Sequence, residues 1–329
     1  MPESGNHGVL VIGAGSIGAR HARNLRTIGI KHIAMCDPDA ERRTSLAHEL
    51  SCDDYATIEQ ALKDDRITVA AVFSPTKCHI PQAIAVAAQG KHLFIEKPLS
   101  HTTDGLDDLQ RIVKENHLTC MIGCNMRFHF GPATVKRLLE QGKIGTPVHA
   151  EVYTGSYLPD WRPKTDYRRS YSADPAQGGA ILDCIHEIDL AQWYLGPAKL
   201  MKCALKQADA LGIPVEGTAD LKLHHATGAI SNVHLSFMEK EYQRFCAIEG
   251  TEGSLFWDIH KKIVEVKDVS GHVRESVPEP AGYDINQMYI DELGHFLACI
   301  ASGAVPVGNL TEAIGVLSVA LQARKNVNH

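Results

Sequence analysis

Apolar residues recur through the first 125 positions in two alternating rhythms, short β-branched runs and longer stretches with apolar side chains three and four residues apart. The short runs predict strands at 9–12, 33–36, 69–73, 92–95 and 119–122. The longer stretches predict helices at 17–28, 38–50, 79–88 and 102–115, with a further short element at 58–62. The 69–73 run has no polar side, as expected of a strand covered on both faces. Strand and helix in alternation build a parallel sheet with helices packed on both sides.

Near Asn125 the rhythm changes. After a linking helix at 130–141, strand-like alternation appears at 148–153, 202–208, 220–224, 230–237, 244–249, 254–259 and 263–266. Helical spacing is confined to 181–194, 286–301 and 311–325. Many strands with few crossovers predict an open, mostly antiparallel sheet. The expected fold class is therefore α/β: an N-terminal Rossmann-type, doubly wound parallel sheet at 1–125, followed by a C-terminal α+β domain with an open, mostly antiparallel sheet at 126–329.

A chain of 329 residues is long enough for two cores, in keeping with that division. Its 44% apolar and 22% charged content and net charge of -6 leave no basic excess for a nucleic-acid backbone, so no nucleic-acid partner is expected. The start, MPESGNHGVLVIG, has no basic n-region and too short an apolar run for a leader or membrane helix, which predicts a cytoplasmic protein with no membrane partner. Nine cysteines, an odd number with no CxxC, read as reduced thiols, and no Cys or His spacing predicts a metal site.

Chemistry first enters at Gly13, Gly15 and Gly18, a G-x-G-x-x-G turn between a predicted strand and helix. Such a turn lets the backbone approach a pyrophosphate, which the unpaired N–H groups at the helix start, here from Ser16 and Ile17, then stabilise. An acid about 20 residues on, Asp37, ends the next strand, as a dinucleotide site requires. A carboxylate there accepts from a ribose 2′-OH and repels a 2′-phosphate, so NAD is expected and NADP disfavoured. Arg42 and Arg43 can in principle meet a 2′-phosphate; the simpler reading makes them exposed helix charges.

Glu96-Lys97-Pro98 follows the 92–95 strand. An ammonium at a strand end can hydrogen-bond a carbinol oxygen and stabilise the negative charge that develops on it during hydride transfer. To act as a base it needs a pKa well below about 10.4. Pro98 restricts the backbone of Lys97 and so aims its side chain. Downstream, Gly178-Gly179 leads to His186-Glu187-Ile188-Asp189, and a histidine with a reference pKa near about 6.5 suits proton transfer at neutral pH. Asp183 and Asp189, three residues either side of His186, place carboxylates on its face if 181–194 is one helix.

These motifs, with Ser74-Pro75-Thr76 and His79 after the fourth strand and Asn125-Met126-Arg127-Phe128, resemble the Gfo/Idh/MocA oxidoreductases over nearly the whole chain. The resemblance implies sugars, inositols or their derivatives as substrates and an open sheet that forms a homodimer or homotetramer. It implies cofactor contacts from Gly13, Gly15, Ser16, Ile17, Gly18, Asp37, Ser74, Pro75, Thr76, His79, Glu96, Lys97, Asn125, Arg127, Trp161 and Arg162. Lys97, His186 and Asp183 are its catalytic residues, with Arg127, Tyr157 and Arg168 also facing substrate. The commonest family pattern sets the aspartate four residues before the histidine, whereas Asp183 is three before His186. Arg162, Lys164, Arg168 and Arg169 can hold a carboxylate or phosphate, which admits an acidic or nucleotide-linked sugar. Two other classes fit the same fold, a glycosidase that uses NAD for transient oxidation and a regulator that binds NAD without chemistry.

Overall fold

A computed structural model of the chain describes residues 7–325. Residues 1–6, part of the stretch read for the absence of a leader, lie outside it. The described chain forms two compact units. One takes the residues up to Asn125 together with Ile285–Ile314, and the other takes Met126–Asp284 and the residues from Gly315.

The first unit opens with β1 (Gly8–Ile12), α1 (Ser16–Thr27), β2 (Ile33–Cys36), α2 (Ala40–Leu50), β3 (Asp53–Tyr55) and α3 (Ile58–Ala61). It continues through β4 (Ile67–Val72), α4 (Thr76–Ala87), β5 (His92–Glu96), α5 (Leu106–Glu115) and β6 (Cys120–Gly123). The six strands lie in the order β3-β2-β1-β4-β5-β6, all pairs parallel. This is the doubly wound Rossmann order, in which strand order reverses beside β1. β1 is buried along its whole length and β4 nearly so, as the polar-free runs predict.

Local chemistry sets the helix ends. α2 starts at Ala40 rather than 38 because the Asp39 side chain caps it by accepting from the Arg42 amide. α5 starts four residues later than its apolar spacing suggests, at the left-handed Gly105. β3 escapes the sequence pattern altogether: Asp53-Asp54-Tyr55 is a polar edge strand with no apolar run to announce it.

The second unit contains α6 (Phe130–Glu140), β7 (Pro147–Tyr157), α7 (Leu158–Trp161), α8 (Ala180–Asp183) and α9 (His186–Leu195). Then follow β8 (Ala198–Gln207), β9 (Glu216–His225), β10 (Ile230–Ser236), β11 (Met238–Gly250), β12 (Gly253–Asp258), β13 (Ile263–Lys267) and β14 (Val273–Pro278). The eight strands order as β14-β13-β12-β11-β7-β10-β9-β8, antiparallel except for the central β7–β10 pair. β14, like β3, is an exposed edge strand without an apolar signature.

The second unit is not the continuous stretch 126–329 that the change of rhythm predicts. α10 (Gln287–Ser302) returns to the first unit, where Phe296 meets Phe94 at 5.6 Å and Asn286 donates to Asn24 at 2.9 Å. Its apolar stripe is the same whichever core receives it, so sequence position alone misassigns it. α11 (Leu310–Lys325) is divided, its first residues grouping with the first unit and the rest with the second. The nine cysteines form no disulfide among the described residues. No described helix is long and apolar enough to cross a membrane.

Candidate active site

The glycine turn after β1 has the shape a pyrophosphate needs. Gly13 sits at φ +104, and a Cβ there would lie 2.8 Å from the Phe73 carbonyl. A Cβ on Gly18 would collide with the Gly13 carbonyl, so helix and turn pack too closely for any side chain. Around Gly15, by contrast, a Cβ would meet nothing within 4 Å, and this is the open side. α1 begins there with no side-chain cap and no acid in its first turn, so its N–H groups and dipole face that space without a competing charge. The residues present fit a dinucleotide phosphate.

Asp37 directly follows β2 and braces this turn: Oδ2 accepts from the Ala14 amide at 2.7 Å and Oδ1 from the Asp39 amide at 2.8 Å. Each oxygen keeps a second lone pair for a ribose hydroxyl. Arg43 is not the exposed charge expected. Its side chain is 12% exposed, with Nε on Asp54 at 2.6 Å and Nη1 on the Asp37 carbonyl at 2.8 Å. Arg42 is exposed and pairs with Asp39 at 3.1 Å. Neither guanidinium is a dedicated phosphate holder.

After β4, Ser74 Oγ donates to Gln82 at 2.6 Å, and Pro75 caps α4 ahead of the buried Thr76. His79 follows on α4. It is 1% exposed, with Nε2 2.8 Å from the Ser74 carbonyl and Nδ1 3.0 Å from the Pro98 carbonyl. Buried on two backbone oxygens, it ties the turn after β4 to the turn after β5, which carries Lys97. Burial lowers its pKa while the two carbonyls oppose the shift.

Glu96 and Lys97 are partly buried at the C-terminal end of β5, where doubly wound sheets bind ligands, and the Lys97–Pro98 peptide is cis. Burial pushes the Glu96 carboxyl up to about 7, against the pull of the Lys97 ammonium. Asn125 is 8% exposed, and burial raises the pKa of the Tyr289 phenol of α10. One residue near this site had no motif to mark it: His21 of α1 is fully buried, stacked on Phe73 at 4.3 Å.

In the second unit, the expected 181–194 helix is two helices. α8 ends at Asp183, Cys184 and Ile185 turn, and α9 begins at His186. The Glu187 amide reaches the Cys184 carbonyl at 3.4 Å, a tighter return than the α-helical one, which accommodates the three-residue spacing of Asp183 and His186. Both are buried, 4% and 7% exposed. They are therefore not two positions on one helical face. Asp189 accepts two bonds from Arg127, Nε at 2.8 Å and Nη2 at 2.7 Å, in a pair 1% and 2% exposed. Arg127, expected to touch cofactor and substrate, is 3% exposed, with its guanidinium 5.4 Å from the Trp193 ring. Glu187 pairs with Arg244 of β11 at 2.7 Å. The two acids of the His-Glu-Ile-Asp motif thus anchor α9 to its surroundings, and Arg244 is a partner that no local pattern announces.

Tyr157 ends β7, half-buried. Trp161 is 40% exposed and donates to Ser156 at 3.0 Å. Arg162 lies 5.6 Å from the Tyr171 ring and Arg168 5.1 Å from Tyr167, leaving Arg162, Lys164, Arg168 and Arg169 on an exposed basic segment. Away from these residues His32, Asp53 and Asp64 converge, but Arg66 bonds both carboxylates at 2.7 Å.

Comparison with known proteins matches residues 7–124 to the NAD-binding Rossmann-fold model of the GFO/IDH/MocA oxidoreductase family and residues 133–256 to the GFO/IDH/MocA C-terminal domain. The chain is 28% identical to scyllo-inositol 2-dehydrogenase (NAD(+)) of Bacillus subtilis (strain 168), over 95% of this chain and 92% of that protein. It is 26% identical to myo-inositol 2-dehydrogenase of Thermotoga maritima, over 96% and 95%. Among solved structures it superimposes on levoglucosan dehydrogenase in complex with NADH and L-sorbose with TM-score 0.86, covering 98% of this chain and 97% of that one at 21% identity, a likeness of fold.

Proposed function

The chain belongs to the Gfo/Idh/MocA oxidoreductase family, and from that premise we propose that it transfers hydride between NAD and a secondary carbinol of a sugar, polyol or sugar derivative. The observation that carries this reading is the near full-length likeness to NAD-dependent inositol dehydrogenase in a chain that has both Lys97 and His186. NAD, when bound, supplies the hydride acceptor and donor; the protein handles the oxygen and the proton.

The turn at Gly13, Gly15 and Gly18, with Ser16 and Ile17, holds the pyrophosphate, and Asp37 takes the ribose hydroxyls. Ser74, Pro75, Thr76, Glu96, Asn125, Trp161 and Arg162 complete the cofactor contacts. The Lys97 ammonium donates to the carbinol oxygen and stabilises the charge that builds on it as the C–H bond gives up hydride. In oxidation, neutral His186 accepts the hydroxyl proton as the carbonyl forms; in reduction, the imidazolium returns it. Asp183 stabilises that imidazolium, and Tyr157 faces the substrate with it. The exposed Arg162, Lys164, Arg168 and Arg169 admit a substrate with a carboxylate or phosphate.

Inositols, levoglucosan, sugar acids and nucleotide sugars, screened by nicotinamide absorbance, test the substrate class. On the best substrate, Lys97→Ala lowers kcat by about 10²–10⁴-fold and leaves the NAD dissociation constant within about twofold. Unchanged turnover overturns the role of Lys97.

Assembly into a homodimer or homotetramer belongs to the same proposal. The sheet face opposite the buried Val152 and Val233 shows Tyr153 stacked on His234 at 4.3 Å and on Phe245 at 4.8 Å, a partly exposed aromatic strip suited to a second copy. Sedimentation at micromolar concentration tests it, and a wild-type monomer there overturns it.

A further inference from the structure

Residues 174–179 form a tightly bonded approach to α8. The Gly178 amide donates to Asp174 at 2.7 Å and the Gly179 amide to the Ser172 carbonyl at 3.0 Å. A Cβ on Gly178 would collide with the Tyr171 and Ser172 carbonyls, and one on Gly179, at φ +96, with the carboxylate of Glu216. Glu216 comes from β9, outside every motif, and is 3% exposed. Its Oε1 accepts from the Ile181 amide at 3.2 Å, in the first turn of the short helix that ends at Asp183. Arg324, near the end of α11, approaches the same oxygen at 3.9 Å. Its two remaining nitrogens donate to the approach itself, Nη2 to the Pro175 carbonyl at 2.7 Å and Nη1 to that of Ala176 at 3.1 Å.

We infer that Glu216, seated by Arg324, is a positioning residue that fixes the approach and the first turn of α8 and thereby the placement of Asp183 ahead of His186. The inference rests on the catalytic roles proposed above for those two residues. Gly178-Gly179 is then explained by what it lies against: two carbonyls and one buried carboxylate leave room for hydrogen only. Without Glu216 the Ile181 amide loses its acceptor and Arg324 one of its three anchors. Burial pushes the Glu216 carboxyl up, with Arg324 opposing the shift.

The test uses the full chain, saturated with NADH for exchange and supplied with NAD for turnover, in four variants: Glu216→Ala, Glu216→Gln, Arg324→Met and His186→Ala. Amide hydrogen exchange is read across 174–186. Glu216→Ala accelerates it by about tenfold or more while distant strands keep wild-type protection, and Glu216→Gln, which retains an oxygen acceptor, restores most of the protection. Arg324→Met acts in the same direction on residues 174–179 and keeps the test valid should Glu216→Ala fail to fold. Turnover is read on scyllo-inositol, myo-inositol or levoglucosan, whichever reduces NAD fastest. There Glu216→Ala lowers kcat about 10–100-fold with KM within about threefold, and Glu216→Gln recovers most of the loss. Wild-type exchange at 174–186 in both Glu216→Ala and Arg324→Met overturns the inference, as does a Gln variant no better than Ala. Full turnover in His186→Ala overturns the catalytic reading beneath it; an inactive His186→Ala beside a fully active Glu216→Ala overturns the positioning role alone. If none of the three polyols reacts, exchange decides.

Discussion

Arg127 and Asp189 meet in a bidentate ion pair at 2.8 and 2.7 Å, almost wholly out of solvent, and so join the turn after Asn125 to the helix that His186 begins. A buried pair of this geometry contributes little against an apolar substitute, but breaking it strands a charge without water or partner. Arg127→Ala or Asp189→Ala should cost about 3–5 kcal/mol of unfolding free energy, and the double change to Met and Leu much less. Urea unfolding followed by circular dichroism distinguishes the cases. Single variants that lose no more than the double would show the pair to be dispensable.

The tethering of Arg43 bears on cofactor choice. With Arg43 held by Asp54 and the Asp37 carbonyl, the carboxylate of Asp37 dominates the end of β2. Wild-type protein should bind NADH at least about tenfold tighter than NADPH. Asp37→Ala should narrow that ratio, and NADH should itself bind more weakly because the Ala14 amide loses its brace. Fluorescence titration of both cofactors measures the ratio, and equal affinities in the wild type would remove the ribose argument.

His21 predicts how the protein responds to acid. Its ring is sealed between Phe73 at 4.3 Å and the edges of Phe94 and Tyr289 at 5.5 Å, and burial, reinforced by the Arg20 charge, lowers its pKa to about 3. The folded state refuses a proton that the unfolded chain takes at its ordinary value of 6.5, so the stability His21 contributes is full above that pH and lost as pH falls toward 3. Between pH 7 and pH 4 the loss amounts to about 3 kcal/mol. His21→Phe, which keeps a ring in the stack, should flatten that part of the profile. Urea unfolding across the range checks it, and an equally steep loss in the variant would assign the acid sensitivity elsewhere.

Several elements were legible because local chemistry alone decides them. The glycine turn, Asp37 and the polar-free strands at 9–12 and 69–73 need only backbone conformation and burial, and the parallel sheet follows from their alternation with helices. Edge strands β3 and β14 were not legible, because an edge strand needs no apolar face. The break between Asp183 and His186 was also hidden, since α8 and α9 keep a continuous apolar pattern across Cys184 and Ile185.

By itself the sequence determined the nucleotide turn, the family and the types of group available for the chemistry, all of them properties of short segments. Tertiary structure alone decided how the polar residues were used. Arg127 and Asp189 stand 62 residues apart and Gly179 and Glu216 37, His79 reaches the carbonyl of Pro98, and α10 returns to the first unit. A buried charge or donor must find a partner wherever the chain brings one, and that requirement ignores sequence distance. It gave Arg127 and His79, read from the sequence as ligand contacts, partners in Asp189 and in the carbonyls of Ser74 and Pro98.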